Sequence, residues 1–421
     1  MAVSFSTSVK LPDSQKPSGK EEFISKLLQI IKFPLWFFNM TGIAVIDNSP
    51  SLSSQPVSRI RRMIVVLRLS LFSLMHLYNL AKMVMTVAVR LPGNSHATDF
   101  LLLDLCMLCA ATNFMCENLT MRLWLEPMIK VLLEYNQKFG FLHDIVGKKV
   151  QFSRVYTVFF VCVNIVSVGA ILYLGWHWHN FSDVMIPFIA NRTDTISMYA
   201  ISASFCVVTT LLLMTIQGSI LMHSLFLWVI DGEFRATARL MAESLKVCDD
   251  LTEARFDLCR ERHQFLCRVA RSFNKFTRLF VSTTILFNMT TVLIYIYNNS
   301  NVINIPGYWA ANCLGGISAC VITILFVSCQ WGKLPNSVHS IADAVADADW
   351  TAMSKDLIQK MGLLLDSCGA QKVGVSVFGL FTVDSSTPMM ILGTMLTYGI
   401  VVLQFQVDNT ICSCPGNKTD L

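Results

Sequence analysis

Seven long apolar stretches constrain this chain more than any other feature of its sequence. They cover residues 63–89, 98–118, 155–176, 197–230, 279–297, 308–330 and 384–408. A helix of about 20 apolar residues crosses the hydrocarbon core of a bilayer. The whole chain is 53% hydrophobic and only 14% charged, whereas a soluble domain carries about a quarter of its residues as charges. The sequence therefore predicts an all-α membrane protein with seven transmembrane helices and its termini on opposite sides.

Lys and Arg are concentrated in alternate connections between these stretches. Residues 1–62, 119–154, 231–278 and 331–383 hold 28 of the 33 basic residues. Because cytoplasmic loops retain an excess of positive charge, these four segments are predicted to be cytoplasmic. The N-terminus is then cytoplasmic and the C-terminus extracellular.

Glycosylation sequons give an independent test of this orientation, since Asn-x-Ser/Thr is modified only on the lumenal side. Asn180, Asn191, Asn298 and Asn417 all fall in segments predicted to be outside. Three further Asn-x-Ser/Thr matches, at residues 39, 118 and 288, fall on the predicted cytoplasmic side or within a span. They are interpreted as sites that are not glycosylated. G-protein-coupled receptors have the opposite orientation. The chain also lacks their Asp-Arg-Tyr and Asn-Pro-x-x-Tyr motifs, so that class is not favoured.

The segments that leave the membrane have a predicted organisation of their own. Residues 1–20 are polar and contain no cleavable signal peptide. The apolar run Phe33–Ile46 is too short to cross and predicts an interfacial or re-entrant helix. The predicted units are a cytoplasmic N-terminal segment (1–62), spans one to four (63–230), a cytoplasmic helical connection (231–278), spans five and six (279–330), cytoplasmic anchor helices (331–383), the seventh span (384–408) and an extracellular tail (409–421).

The two cytoplasmic helical segments show apolar residues at helical spacing. The fourth stretch, at about 51 Å, is also long enough to project from the membrane into the first of them. The apolar positions are Leu240, Val247, Leu251 and Leu258 in one segment, and Ile341, Val345, Met353, Leu357, Met361 and Leu364 in the other. Two interpretations follow from the residues alone: the stripes pack against one another or against other subunits, or they lie on the membrane surface.

Cysteine and histidine spacing predicts no metal site, and no cofactor is expected. Most of the 14 cysteines lie in spans or on the cytoplasmic side, where thiols stay reduced. Cys313, Cys412 and Cys414 lie near the outer face, so a bridge from Cys313 to one of the other two is an open hypothesis. His177 and His179 alternate with tryptophans, which is typical of an interfacial aromatic belt.

The last apolar stretch ends in Thr397-Tyr398, five apolar residues, and Gln404-Phe405. This arrangement resembles the motif that ends the insect gustatory receptors. Phe378, Phe381 and Asp384 precede the stretch with a spacing similar to that in the family. Ser385 and Ser386 depart from it, because a basic residue often follows the acid there. Pro388 either lies in the first turn or kinks the inner end of the helix, and Gly393 suggests a break into inner and outer pieces.

The resemblance implies a ligand-gated, non-selective cation channel of the plasma membrane of sensory neuron dendrites, which detects tastants such as sugars or bitter compounds. Four subunits, identical or related, would join through the cytoplasmic helices around one pore, and no G protein or nucleic acid takes part. Thr397, Val401 and Gln404 share one helical stripe. The residues expected at the pore or gate are Thr397, Tyr398, Ile400, Val401, Gln404 and Phe405. The alternative is that Gln404 bonds a neighbouring helix and Thr397 its own backbone.

The resemblance to the gustatory receptors also implies a ligand pocket in a cleft that opens outward between the first six spans. Lys82 and Asp104 are ionisable residues within spans, which marks them as functional candidates. They are either partners or separately satisfied. The candidate pocket residues are His76, Tyr78, Lys82, Asp104, Asn164, Tyr295, Trp309 and Asn312.

Other functional classes fit the sequence less well. A transporter is expected to show internal repeats with paired broken helices. An enzyme needs a constellation of His, Asp, Ser or Cys near one face. An odorant-receptor-type channel, or a modulatory subunit of a heteromeric taste receptor, is the nearest alternative, because those families are similar in fold.

Overall fold

The computed structural model describes residues 97–142, 147–177, 195–246, 251–301, 307–370 and 373–411, with single positions between 27 and 38 and between 63 and 84. These residues are almost entirely helical, as predicted. The helices are α1 (Ala97–Phe139), α2 (Gly147–His177), α3 (Thr195–Lys246), α4 (Thr252–Asn301), α5 (Gly307–Trp331), α6 (Lys333–Ala346), α7 (Lys355–Ala370) and α8 (Thr387–Ile411). A short 3-10 turn, Trp350–Ala352, joins α6 to α7.

Several of these helices are long and apolar enough to cross a membrane. Within the described ranges, four such segments are Met214–Lys246, Thr252–Ile296, Gly316–Ala346 and Thr387–Gln404. The described positions between 63 and 84, in the first predicted span, are helical. The prediction of a helical membrane protein is confirmed.

Two helices extend far beyond the thickness of a bilayer. α3 has 52 residues and α4 has 50, so each is about 75–78 Å long, against a hydrocarbon core of about 30 Å. The predicted connection 231–278 is therefore built from continuations of the fourth and fifth spans. The chain reverses between Lys246 and Thr252.

A large apolar core joins α1, α3 and α4, with α5 and α6 packed beside them. Between residues 27 and 38 the apolar side chains of Leu27, Ile30, Ile31, Leu35 and Phe38 belong to this core, whereas Gln29 and Lys32 are exposed. The apolar side of the predicted N-terminal helix is thus covered by the protein itself.

A second core lies where the end of α3, the start of α4, α6 and α7 meet. The predicted stripe of α6 and α7 is confirmed, since Ile341, Val345, Leu357, Met361 and Leu364 are all buried there. These amphipathic stripes are covered by packing within the chain.

On α4 the predicted stripe is wrong in phase. Leu251 is 58% exposed and Leu258 is 43% exposed. Phe256 and Cys259 are buried in their place. Because α4 is one continuous helix, the buried face of its first turns has to continue into the buried face of the fifth predicted span, which carries Phe280.

A small β-hairpin precedes α8 and was not predicted from the sequence. β1 (Ser376–Val377) pairs antiparallel with β2 (Phe381–Thr382). At the turn, Phe378 has φ 48° and Gly379 has φ 79°. Successive residues in the left-handed region form the tight turn that suits a twisted hairpin.

Candidate functional site

The hairpin is fastened to α4 by backbone hydrogen bonds to two α4 side chains. The Ser376 amide donates to Asn274 Oδ1 at 3.0 Å, and the Phe378 amide donates to Ser282 Oγ at 2.7 Å. The side chains of Phe378 and Leu380 point away from the protein and are exposed. The aromatic turn predicted before the last span is therefore a docked hairpin that fixes where α8 begins.

Asp384 closes the N-terminal end of α8. Its Oδ1 accepts hydrogen bonds from the Ser386 and Thr387 amides, both at 3.0 Å. Thr387 Oγ1 in turn accepts from the Asp384 amide at 3.0 Å. This reciprocal arrangement has the logic of a capping box, in which two unpaired amides are satisfied at once. The acid that carries the family-like spacing is thus a helix cap.

α8 runs without interruption past both Pro388 and Gly393. The expected break at Gly393 is therefore wrong. Pro388 lies in the first turn, where its missing N–H costs no hydrogen bond. Ile391 and Met395 are buried on either side of Gly393, so packing holds the helix straight through it.

One side of α8 packs on α4 and α5, and the rest of its circumference is uncovered. Tyr398 is 56% exposed, Ile400 47% and Val401 37%. Thr397 and Gln404 are also exposed, so the predicted stripe of Thr397, Val401 and Gln404 points away from the rest of the chain. Thr397 Oγ1 donates to the Gly393 carbonyl at 2.9 Å, as the alternative interpretation expected. Phe405 lies in the helix, and its side chain is outside the described residues.

Consecutive residues of α4 connect the candidate pocket to α8. The Tyr295 ring lies against Gly316 of α5, 2.9 Å from where a Cβ would stand. The next residue, Ile296, contacts Gly399 of α8, with its Cδ1 3.3 Å from the corresponding position. Gly399 lies between Tyr398 and Ile400 in the terminal motif. A displacement of α4 at Tyr295 would therefore also displace Gly399 of α8, through its contact with Ile296.

The other predicted site residues are described only in part. Tyr78 is helical and half-buried. The structure places Asp104 in α1, Asn164 in α2, Asn298 in α4, and Trp309, Asn312 and Cys313 in α5, without describing their side chains. Outside the described residues lie His76, Lys82, Asn180, Asn191, Asn417, Cys412 and Cys414. The pairing of Lys82 with Asp104, the glycosylation sites and the disulfide thus stay predictions.

A buried polar cluster joins α1, α3 and α4, and it was missed from the sequence. His223 Nε2 lies 3.2 Å from Glu117 Oε1, and its Nδ1 lies 3.0 Å from Thr277 Oγ1. The imidazole is stacked on Phe280 with ring centres 4.6 Å apart. Glu117 and His223 both fall within predicted spans, so the rule that singled out Lys82 and Asp104 also points to them.

A second buried network, here named the Glu233 network, lies nearer the second core. Glu233 Oε2 accepts a hydrogen bond from Tyr135 Oη at 3.1 Å. The same oxygen forms an ion pair with Arg262, whose Nη2 lies 3.4 Å away. Arg262 Nε also donates to Tyr135 Oη at 2.7 Å. Burial, and then the Glu233 carboxylate, raise the pKa of the Tyr135 phenol, so it stays protonated as a donor.

The Glu233 network also caps the end of α1. Gly140 follows the helix with φ 68°, the left-handed conformation that commonly ends helices. Arg262 donates to the carbonyls of Phe139 and Gly140, and the Leu142 amide donates to Glu233 at 3.3 Å. The Glu233 network thereby holds α1, α3 and α4 together at the point where α1 ends.

Comparisons with known proteins were made for the whole chain. Residues 32–409 match the family model described as 7tm Chemosensory receptor. Among solved structures, the fold resembles the insect olfactory receptor OR5 from Machilis hrabei, with a TM-score of 0.62 and 13% identity over 92% of this chain and 99% of that one. The same receptor in complex with eugenol matches with a TM-score of 0.53 and 12% identity over 89% of this chain and 99% of that one. No curated protein sequence matches significantly.

Proposed function

Because the chain belongs to the 7tm chemosensory receptor family, we propose that it is a gustatory receptor acting as a ligand-gated, non-selective cation channel for tastants. The family is one of receptors, not of enzymes. The observation that carries the proposal is the terminal motif on the uncovered side of α8. Its polar positions, Thr397 and Gln404, are exposed on that side.

Exposed polar residues in a membrane span need water or another subunit as a partner. In a fourfold assembly, Gln404 side chains from four copies would form a ring whose amide oxygens coordinate a passing cation. Ile400 and Val401, one turn away, would form the apolar constriction that closes the pore by dewetting. The outer surfaces of the helices that enclose the second core would bring the cytoplasmic ends of the four subunits together as an anchor.

The contact between α4 and α8 suggests how a ligand opens this pore. A tastant bound beside Tyr295 would displace the outer end of α4, and Ile296 would carry that movement to Gly399. The motif begins two residues before Gly399, so the constriction would widen with it. The ligand can favour the open state only to the extent that it binds that state more tightly.

An odorant-receptor-type channel is the second candidate, and the fold similarity to OR5 favours it. That receptor's structure with eugenol shows that this fold accommodates a small aromatic ligand. The two candidates differ in the ligand expected: a sugar needs its hydroxyls paired by buried polar groups, whereas an odorant or a bitter compound needs mostly apolar walls.

Whole-cell recording from cells expressing this chain alone tests the proposal. Sugars, bitter alkaloids and volatile aromatics are applied in turn, with G-protein signalling blocked throughout. Rapid cation current to sugars or alkaloids supports the gustatory receptor, and current to volatiles alone supports the second candidate. Surface-expressed protein that passes no current with any panel, alone or with related subunits, would contradict both.

Replacing Gln404 with alanine is expected to change the ion selectivity of the current and leave its agonist unchanged. The substitution removes the amide ring from the pore but leaves the packed side of α8 intact. Reversal potentials in mixed monovalent and divalent solutions measure the effect. Leu403→Ala is the matched control, since Leu403 is exposed one position away on a different face. Unchanged selectivity in the Gln404 variant would remove this residue from the pore.

A further inference from the structure

Four basic residues form a stripe along the exposed face of α4. Arg268, Arg271, Lys275 and Arg278 follow one another at intervals of three, four and three residues, and all are exposed. This spacing keeps them on one side of the helix. The stripe, here called the basic stripe, is about 15 Å long.

Within the described parts of the chain, no carboxylate neutralises the basic stripe in an ion pair. Arg271 Nε donates to the Cys267 carbonyl of its own helix at 3.3 Å. The Arg268 guanidinium lies over the Phe265 ring at 4.9 Å, and Lys275 Nζ lies over the Trp124 ring at 5.9 Å. These contacts hold the cations in place without cancelling their charge.

The pairing of α1 with α4 shows where the basic stripe ends towards the cytoplasm. α4 runs alongside α1, and Glu261 forms an ion pair with Lys138 there. Lys275 contacts Trp124 on the same pair of helices. The unneutralised cations thus begin beyond the Glu261 pair and continue to Arg278.

The other end of the basic stripe reaches the edge of the apolar surface. Leu279, the residue after Arg278, begins the fifth predicted span. On α1, Trp124 is partly exposed and is followed towards the membrane by exposed Leu123 and Leu119. Tryptophan is enriched at the level of lipid headgroups. This face therefore changes in three steps away from the predicted span: an apolar surface comes first, then a tryptophan at the interface, and then the cations that form no ion pair.

We infer that the basic stripe binds the headgroups of anionic phospholipids in the cytoplasmic leaflet. Lys275 and Arg278 lie within one helical turn of the apolar boundary, at the depth of the headgroup phosphates. Arg268 and Arg271 lie about 10–15 Å from Arg278 along the axis, roughly one Debye length. They add long-range attraction to the charged surface. This inference rests on the proposed orientation, which places residues 231–278 inside.

Charge complementarity and position together select a lipid as the occupant. The cytoplasmic leaflet carries anionic lipids and attracts basic segments beside a span. A soluble anion would use the same cations, but it would gain nothing from the exposed Leu119, Leu123 and Trp124 beside them. A lipid meets both surfaces, since its chains cover the leucines and its phosphate reaches Lys275 and Arg278.

Lipid binding to the purified full-length chain tests this inference without requiring channel activity. The protein in zwitterionic detergent is titrated with phosphatidylserine or phosphatidylcholine, and bound lipid is counted by native mass spectrometry. Each cation near the surface contributes about a fivefold gain in affinity. The variant Lys275→Gln with Arg278→Gln is thus expected to bind phosphatidylserine about twenty-five-fold more weakly, with phosphatidylcholine binding unaffected.

Arg239→Gln is the matched control, because Arg239 is exposed on the cytoplasmic extension of α3 and lies outside the basic stripe. It is expected to bind phosphatidylserine like the wild type. Equal weakening in the control would overturn the inference, as would equal affinity of the wild-type chain for the two lipids. Competition by inorganic phosphate at the concentration of the lipid phosphate would assign the stripe to a soluble anion and overturn it as well. None of these outcomes depends on whether the chain conducts ions.

Discussion

Replacing Glu233 with alanine is expected to abolish the recovery of folded, monodisperse protein. The substitution leaves the Arg262 guanidinium buried without its carboxylate and removes the acceptor for Tyr135. Breaking a buried ion pair from one side costs about 3–5 kcal/mol. Folded proteins are stable by only about 5–15 kcal/mol, so little stability would remain. Size-exclusion chromatography and the midpoint of thermal unfolding in detergent measure the effect.

The chain supplies a matched control for this prediction. Glu261 and Lys138 form an ion pair between α4 and α1, but both side chains are about half exposed. Surface pairs contribute about 0–1 kcal/mol, so Glu261→Ala is expected to purify normally with a small shift in its unfolding midpoint. Equal midpoints for the two variants would show that the Glu233 network does not hold α1, α3 and α4 together. A Glu233→Leu and Arg262→Met double variant is expected to recover part of the loss, because it leaves no buried charge unpaired.

The Glu233 network shows why part of the site could not be predicted from the sequence. Tyr135 and Glu233 are separated by 98 positions, and Tyr135 and Arg262 by 127. Helical periodicity predicts which face of a helix is buried, but it does not say which faces of different helices meet. The acid and the arginine each resemble ordinary charges of a cytoplasmic connection.

The seventh span was predicted more completely, because the features that were predicted there depend only on residues close together in the sequence. The stripe of Thr397, Val401 and Gln404 depends only on the period of one helix, and the structure leaves that stripe uncovered. The prediction at Gly393 was wrong for the opposite reason. A glycine lowers helix stability by about 1 kcal/mol, which the burial of Ile391 and Met395 outweighs. Local propensity suggested a break, and tertiary packing removed it.

The helices predicted to be cytoplasmic were predicted correctly in part and wrongly in part. In α6 and α7 the apolar stripe is short and bounded, so periodicity alone found the buried residues. In α4 the same method selected Leu251 and Leu258, which are exposed. The phase of that helix is determined by its whole buried face, which continues through Phe280 in the span, so a window restricted to the connection selected the wrong side.

Replacing Gly332 with alanine is expected to disrupt the coupling between the helices α6 and α7 and the helix α8. Gly332 joins α5 to α6 with ordinary helical angles, so backbone strain is not the reason for a glycine. A Cβ there would stand 2.5 Å from the Asp384 carbonyl oxygen and 3.0 Å from that of Ser328. Both are backbone atoms and cannot rotate away. Overpacking of this kind costs about 1–3 kcal/mol, and relief requires the cap of α8 to move.

Because Asp384 sets the start of α8, that movement reaches the proposed pore. We therefore expect the Gly332 variant to fold with a lowered unfolding midpoint and to show an altered open probability in the absence of ligand. Gly362→Ala is the control: Gly362 lies within α7 with nothing within 4 Å of a Cβ, so alanine there should be neutral or stabilise the helix by up to about 1 kcal/mol. Recordings of basal and agonist-evoked current from the two variants separate the effects. If the Gly332 variant matches the Gly362 variant in both stability and basal current, the junction of α5 and α6 does not position α8.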